Sequence, residues 1–523
     1  MKRSWACAFL LAALCGWHLL LRGHGRGIPL VTDEGEYAAV ARAWSGGGLP
    51  YRDAYSQKTP MIFLVYRAAA AVSDGPAAPR TLAALAGLAT LLILFVATPR
   101  AWSLSGRLAA PAAFAALSAL PIGDYSFPAN TEVFVNLFAA LAALALLRDS
   151  SFLAGLAAGA ALCTKQTSLW TMAAFAPFAV LMVRKPDRAR AASVYTLGCL
   201  FFPALWAAYF ISRGGLQDYW QAAWAGNARY ASVLVMTGAL AGQLRWFAAT
   251  LLPRLILFTA PALILAVLGL RGLRVARDRP VETLSVLWFG GAVAGALTGL
   301  FLFPHYFLML APPAALAAAS GVERMSSRKG RAAAAVVLAL WPALLAPRLF
   351  FIAGARERAL TLLYPNPIFE SEALGVEIRR RAAPGDRLHV FGSESSLFSY
   401  SGLSPATPHT YCYPLTLFPK GRHEIAFERA ALDLAPPRFL VWSTQPLSTM
   451  ISSNLGLEYR DGMRALLARR YAFIGLVRVS AEPGLPRFEP SRAKDRPDFE
   501  GEDRLLLFER KEMPRGKSVS YAR

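Results

Sequence analysis

Apolar runs of about 16 to 22 residues recur along this chain, and a helix crossing the hydrocarbon core of a bilayer takes about 20. With 55% of its 523 residues hydrophobic, the sequence excludes a soluble globular protein and reads as a polytopic α-helical membrane protein. The formal net charge of +22 would point to nucleic acid in a soluble chain. Here most basic clusters fall in short connections between apolar runs, where cytoplasmic Lys and Arg orient the helices. The charge therefore reports topology, and no nucleic-acid partner is expected. Cys7, Cys15, Cys163 and Cys199 lie in apolar runs and only Cys412 lies outside them, so no disulfide framework is expected.

Met1 to Leu21 has the basic start and apolar run of a secretory signal peptide. The run from Trp5 exceeds a usual signal core, however, and Arg22 and His24 stand where a small-residue cleavage pattern belongs, so it reads as an uncleaved first helix. With Lys2 and Arg3 cytoplasmic, residues 22–80 form a first outer loop. Met61 to Val72 within it is apolar, but its 12 residues rise only about 18 Å, with Arg67 in the middle. It reads as a helix at the outer interface, with Arg67 snorkelling to the headgroups.

The next crossings are Thr81 to Thr98, Leu108 to Ile122, Val133 to Leu147, Phe152 to Thr164, Ser168 to Val183 and Ala191 to Ile211. After a long outer loop come Leu255 to Leu270, Glu282 to Phe303, Tyr306 to Ser320 and Ala332 to Ala346. This path makes about eleven transmembrane helices within 1–347. It puts Arg100 and Arg107, the cluster at Arg184, Lys185, Arg188 and Arg190, that at Arg271, Arg274, Arg277 and Arg279, and that at Arg324, Arg328, Lys329 and Arg331 all inside. A second outer loop covers 123–131. Residues 348–523 read as a C-terminal extracytoplasmic α/β domain. RLHVF and PRFLVW are its buried strands, Ser371 to Ala382 is a helix with Ser371 as N-cap, and a late strand precedes a basic tail. The expected location is the cytoplasmic (inner) membrane, with multiple passes.

This topology gathers Asp33, Glu34 and Glu36, then Glu132, then His305 on one outer face. Acidic groups at the mouth of a bundle can accept a hydroxyl proton or bind a divalent cation, and the plainer reading of each is a solvated loop charge. A lysine ammonium at headgroup depth suits a lipid-linked phosphate, although Lys58 could equally be snorkelling. Lys165 and Gln166 interrupt an apolar stretch where a buried charge would cost about 2.5 to 3.5 kcal/mol; they read as the structural turn of a helical hairpin. His305 and Tyr306 read as interfacial anchors. No Walker A, G-x-S-x-G, H-E-x-x-H or Cys cluster occurs, which argues against ATP-driven transport, serine hydrolysis and zinc sites of those kinds.

The block TDEGEYAAVARAWSGGGLPYRDAYSQKTPMIFLVYR, followed by GDYSFPANTEVFVNLFAALA, GLAAGAALCTKQTSLW, FPHYFLMLAPPAALAA and GDRLHVFGSESSLFSYSGLSPATPHTYCYPL, resembles a known family in order over most of the chain. That family is the bacterial branch of the protein O-mannosyltransferase and aminoarabinose transferase superfamily. Its members are polyprenyl-phosphate-dependent glycosyltransferases with the C-type (GT-C) membrane fold. The resemblance implies inverting transfer of a sugar from a polyprenyl-phosphate-linked donor to a glycan, lipid or protein acceptor at the outer face, within membrane lipid.

Residue by residue, the resemblance implies Asp33 as catalytic base, with Glu34 and Glu132 positioning the acceptor or a cation. Tyr37, Lys58, His305 and Tyr306 would bind substrate, Lys58 holding the departing phosphate. No cofactor is implied; a divalent cation is compatible but not required, and no metal-ligating residues are assigned. Two positions depart from the family pattern. Thr59 replaces the first proline of a Lys-Pro-Pro element, and His305 stands where relatives often carry lysine. Two other classes compete. A transporter or flippase of lipid-linked sugars predicts paired halves with broken helices, and no such symmetry is visible. A membrane-anchored binding protein leaves the acidic first loop unexplained.

Overall fold

A computed structural model describes residues 2–182, 185–273, 278–492, 495–501 and 503–511. Arg184, Arg274 and Arg277 of the basic clusters, and the tail from residue 512, lie outside them. The chain divides into two compact units. One is Met1–Arg52 with Ser56–Tyr364, and the other is Asp53–Tyr55 with Pro365–Arg523.

In the first unit a helix lies on every apolar run of the sequence. Among the described residues, six stretches are long and apolar enough to cross a membrane: Trp5–Gly25, Ala77–Ala97, Arg188–Ser212, Leu240–Leu270, Pro280–Leu297 and Pro304–Glu323. Pro60–Ala70, Leu104–Leu117, Thr131–Leu147 and Ser151–Leu162 are shorter apolar helices. Large apolar side chains stand outward on these helices, Phe9 at 74% and Val267 at 72% exposure among them. Apolar surface on this scale would be an association hazard in water, whereas lipid tails solvate it. The chain is a multi-pass membrane protein.

Lipid offers little drive to press apolar helices together, so close backbone packing does that work, and small residues permit it. Ser151–Leu162 meets Arg188–Ser212 at Gly155, Gly159 and Gly198; a Cβ at Gly159 would lie 2.5 Å from the Cys199 carbonyl oxygen. Gly269 and Gly321 join Leu252–Leu270 to Ala311–Glu323 in the same manner, a Cβ at Gly269 falling 2.5 Å from the Ala317 carbonyl oxygen.

Several expectations need correcting. Residues 212–254, read as a long loop, are largely helical, and Leu240–Leu270 runs as one 31-residue stretch. A widened turn at Phe247–Leu251 precedes Pro253, which has no N–H to donate to the carbonyl one turn earlier. The helix expected to reach Phe303 stops at Leu297, where Gly299, Leu300 and Leu302 adopt φ of 77°, 58° and 54°. For the two leucines that geometry costs about 1–3 kcal/mol each, and it leads directly into His305. Arg67, expected to snorkel, is exposed with its guanidinium 4.9 Å from the Trp44 ring, a contact compatible with that expectation. Residues 348–364, expected in the C-terminal domain, belong to the first unit, where Phe350 packs with Leu21, Ala119 and Ala343.

The second unit is built on a six-stranded sheet of order β2-β1-β3-β6-β4-β5. The strands are β1 (Arg387–Phe391), β2 (Ser404–Pro405), β3 (Phe439–Ser443), β4 (Tyr471–Arg478), β5 (Phe488–Pro490) and β6 (Arg504–Arg510). β1 pairs in parallel with β2 and β3, while β6 runs antiparallel between β3 and β4. RLHVF and FLVW are thus central strands, and Phe391 stacks on Trp442 at 3.9 Å between them. Ser371 is not an N-cap: its helix begins at Ile368, directly after Pro367, which leaves Ser371 buried in the first turn. All five cysteines are free thiols.

Candidate active site

The site grows from two short stretches of the first loop. The sequence TDEGE opens helix Thr32–Ser45, with its acids at the positive end of the helix dipole. Asp33 and Tyr37 are one turn apart, and the Tyr37 hydroxyl donates to Asp33 Oδ2 at 3.0 Å. The second stretch carries Lys58 just before Pro60, which starts helix Pro60–Ala70 from the first helical position. The backbone at Gln57 and Lys58 is tied down. Its N–H donates to Ser56 Oγ at 3.1 Å and its carbonyl accepts from the Tyr51 hydroxyl at 2.8 Å. The Gln57 carbonyl accepts from Gln166 Nε2 at 2.6 Å and Asn227 Nδ2 at 2.9 Å. So fixed, Lys58 Nζ reaches Asp33 Oδ2 at 3.2 Å.

Around this pair the bundle adds further charges. His305 Nε2 lies 3.8 Å from Asp33 Oδ2 and 4.0 Å from Glu132 Oε1, and His305 Nδ1 lies 2.6 Å from Asp124 Oδ2. Glu132, fully buried, pairs with Lys165 Nζ and accepts from the Thr131 hydroxyl at 3.0 Å. The same Lys165 ammonium sits 3.9 Å from the centre of the Tyr306 ring, which meets the His305 ring edge-on at 4.8 Å. The structure therefore brings together Asp33, Tyr37, Lys58, Glu132, His305 and Tyr306. Asp33, Lys58 and Asp124 keep side-chain exposures of 24%, 18% and 25%, so these charges of the cluster reach solvent.

Burial alone would raise the Asp33 carboxyl, but the Lys58 ammonium and the His305 imidazole outweigh it and hold the group well below the usual carboxylate range. Burial would likewise lower Lys58, yet the Asp33 carboxylate keeps it firmly ammonium. Glu36 behaves differently. Burial pushes its carboxyl up to about 7 against the pull of Lys58, and the Ser56 hydroxyl donates to it.

Glu34 is placed otherwise than expected. Its Oε1 accepts from Arg80 Nε at 3.0 Å and the Ala129 N–H at 2.8 Å; its Oε2 accepts from Arg80 Nη2 at 2.5 Å and the Val31 N–H at 3.1 Å. Four donors fill the four lone-pair sites of a carboxylate, so no acceptor hydroxyl can be held there. Glu34 instead ties the first loop to the second. Three partners escaped the sequence reading. Lys165 does lie in the turn between Ser151–Leu162 and Leu169–Leu181, but the sequence reading does not foresee its pairing with Glu132; Asp124 stands eight residues before Glu132 within GDYSFPANTE, and Arg80 closes the first loop.

Among the described residues no group of three or more His, Cys, Asp or Glu side chains is placed to hold a metal ion. The carboxylates of the cluster face cationic side chains instead. The second unit holds a separate buried network, in which Glu428 accepts from Thr407 at 2.5 Å and pairs with His409 Nδ1 at 2.9 Å. Burial would lower His409, but Glu428 and Glu424 push it up to about 9.

Helix order and topology match solved membrane proteins. ArnT from Cupriavidus metallidurans bound to undecaprenyl phosphate superposes with a TM-score of 0.59 at 13% identity, covering 97% of this chain and 98% of that one. Its apo state gives 0.58 at 14% identity over the same shares. This chain has the ArnT-like GT-C membrane fold. The archaeal oligosaccharyltransferase AglB from Archaeoglobus fulgidus, in complex with an inhibitory peptide and a dolichol-phosphate, matches at a TM-score of 0.50 and 10% identity, over 98% of this chain and 77% of that one. No protein-family model and no curated protein matches by sequence.

Proposed function

We propose that the protein transfers a sugar, with inversion, from a polyprenyl-phosphate-linked donor to a hydroxyl-bearing acceptor at the outer face of the cytoplasmic membrane. The observation that carries this reading is the Asp33–Lys58 pair at 3.2 Å, a base and a phosphate-holding cation in one partly open place. The likeness to ArnT bound to undecaprenyl phosphate and to AglB with a dolichol-phosphate supports the lipid-linked donor.

Asp33 accepts the acceptor's hydroxyl proton as its oxygen attacks the anomeric carbon opposite the phosphate. The carbon–oxygen bond to phosphate breaks and its electron pair stays on the phosphate oxygen, where Lys58, His305 and the Tyr306 hydroxyl balance the charge. The glycosylated acceptor and free polyprenyl phosphate leave, and Asp33 returns its proton to water. An arriving phosphate draws Lys58 off Asp33, so the carboxylate becomes a stronger base when the donor is seated. Glu132 holds Lys165 beside Tyr306, and Tyr37 orients Asp33.

Mixing purified protein, polyprenyl-phospho-sugar and a hydroxyl acceptor is expected to release polyprenyl phosphate, with EDTA as without it. Absence of that product across acceptors, with the donor merely bound or moved, would favour binding or transport instead. The accompanying topology has about eleven crossings, in which Leu104–Leu117, Thr131–Leu147, Ser151–Leu162, Leu169–Leu181 and Arg328–Leu345 span beside the six longer stretches while Pro60–Ala70 lies at the interface. A reporter fused after Pro347 is expected to be active only outside the cytoplasm; cytoplasmic activity there would invert the site's sidedness.

A further inference from the structure

We infer that Asp124 is a positioning residue of this site, holding His305 as a cation aimed between Asp33 and Glu132 so that the departing phosphate meets a second positive charge beside Lys58. This rests on the glycosyl-transfer reading and assigns a role to a residue outside the expected set.

Both ring nitrogens of His305 face carboxylate oxygens, Nδ1 toward Asp124 at 2.6 Å and Nε2 toward Asp33 at 3.8 Å and Glu132 at 4.0 Å. Ionised carboxylates only accept. Carboxylate oxygens of three residues lie within 4.0 Å of the ring, two of them at Nε2, and that concentration of negative charge favours the protonated ring. The geometry is that of an imidazolium. The Asp124 contact is an ion pair rather than an in-line hydrogen bond, so its effect is one of charge and orientation.

The backbone is arranged to bring this contact about. Gly123 adopts φ +54°, and a Cβ there would lie 3.0 Å from Pro304 Cγ. Only glycine at 123 lets the second loop press on Pro304 and set Asp124 beside His305. On its other sides the His305 ring is boxed by Phe303, stacked at 5.9 Å and 10°, and by Tyr306. Asp33 is already matched by Lys58 and Glu132 by Lys165, which leaves Asp124 as the dedicated counter-charge of His305. When phosphate displaces the carboxylates from Lys58 and His305, two cations meet a group leaving with two negative charges.

The test is a double-mutant cycle on full-length protein in lipid nanodiscs, reading polyprenyl phosphate release and, separately, polyprenyl phosphate binding by calorimetry. Asp124→Asn is expected to lower kcat and product affinity by about 10- to 100-fold, the scale of a charge-assisted contact. In a His305→Lys background, where the cation needs no partner, the same change should cost less than about threefold. Gly123→Ala, which forces the second loop off Pro304, should reproduce the loss with His305 and not with lysine. Equal losses in both backgrounds, or none in either, overturn the inference. A wild-type protein that binds polyprenyl phosphate but never releases it from donor refutes the transferase reading alone, and the binding cycle still judges Asp124.

Discussion

Asp33→Asn is expected to slow polyprenyl phosphate release by about 10²- to 10⁴-fold, the usual contribution of a general base. Asparagine keeps the size of the side chain and one oxygen for the Tyr37 hydroxyl, which donates at 3.0 Å, but it cannot take a proton from the acceptor. The loss should therefore appear in kcat, with donor KM little changed or lowered because Lys58 is freed from its carboxylate partner at 3.2 Å. The sign of the pH dependence follows from the same pairing. Lys58 and His305 overcome burial and hold the Asp33 carboxyl below the usual range. Its charge, and the stability the ion pair contributes, therefore persist as pH falls through about 4, where a free aspartate protonates, and are lost only below it. Full turnover by Asp33→Asn would remove Asp33 from the chemistry, whatever the fold.

Much of this architecture was legible because a membrane makes hydrophobicity nearly sufficient: each apolar run carries a helix. What failed is equally physical. Residues 212–254 mix aromatic, polar and basic residues, and apolar periodicity says little about a helix whose partners are other helices and lipid at once. The early stop at Leu297 depends on left-handed backbone at Gly299, Leu300 and Leu302, and two of those are leucines, which carry no such signal. The boundary at Tyr364 depends on Phe350 packing with Leu21 and Ala119, a contact between distant parts of the chain.

In the site, charge type and loop membership made Asp33, Lys58, Glu132 and His305 candidates on one expected face, and the family resemblance, not charge, set them apart from solvated, snorkelling or anchoring residues. Pairing did not follow from that. Glu34 and Asp33 are adjacent in sequence, yet successive helical residues point about 100° apart. One faces Lys58 while the other is saturated by Arg80 and two backbone N–H groups. Composition is symmetrical between them; only direction separates scaffold from chemistry.

Lys165 gives the sharpest test of that distinction, and Lys165→Met is expected to destabilise the protein by about 3–5 kcal/mol, the cost of stranding a buried charge by removing its partner. Its partner Glu132 is fully buried, and without the ammonium it keeps the Thr131 hydroxyl and the more distant His305 at 4.0 Å. Thermal unfolding in detergent should show a large fall for Lys165→Met. It should show a much smaller one for Lys165→Met combined with Glu132→Gln, because no charge is then left unpaired. The two readings of Lys165 part at that double variant. If the residue is only the turn of a hairpin, recovered stability should bring recovered turnover. Its ammonium, however, lies 3.9 Å from the Tyr306 ring, and Glu132 lies 4.0 Å from His305. Recovered stability with polyprenyl phosphate release still down by about tenfold or more would place the pair in the charge balance of the phosphate site. Full recovery of both would return Lys165 to the turn.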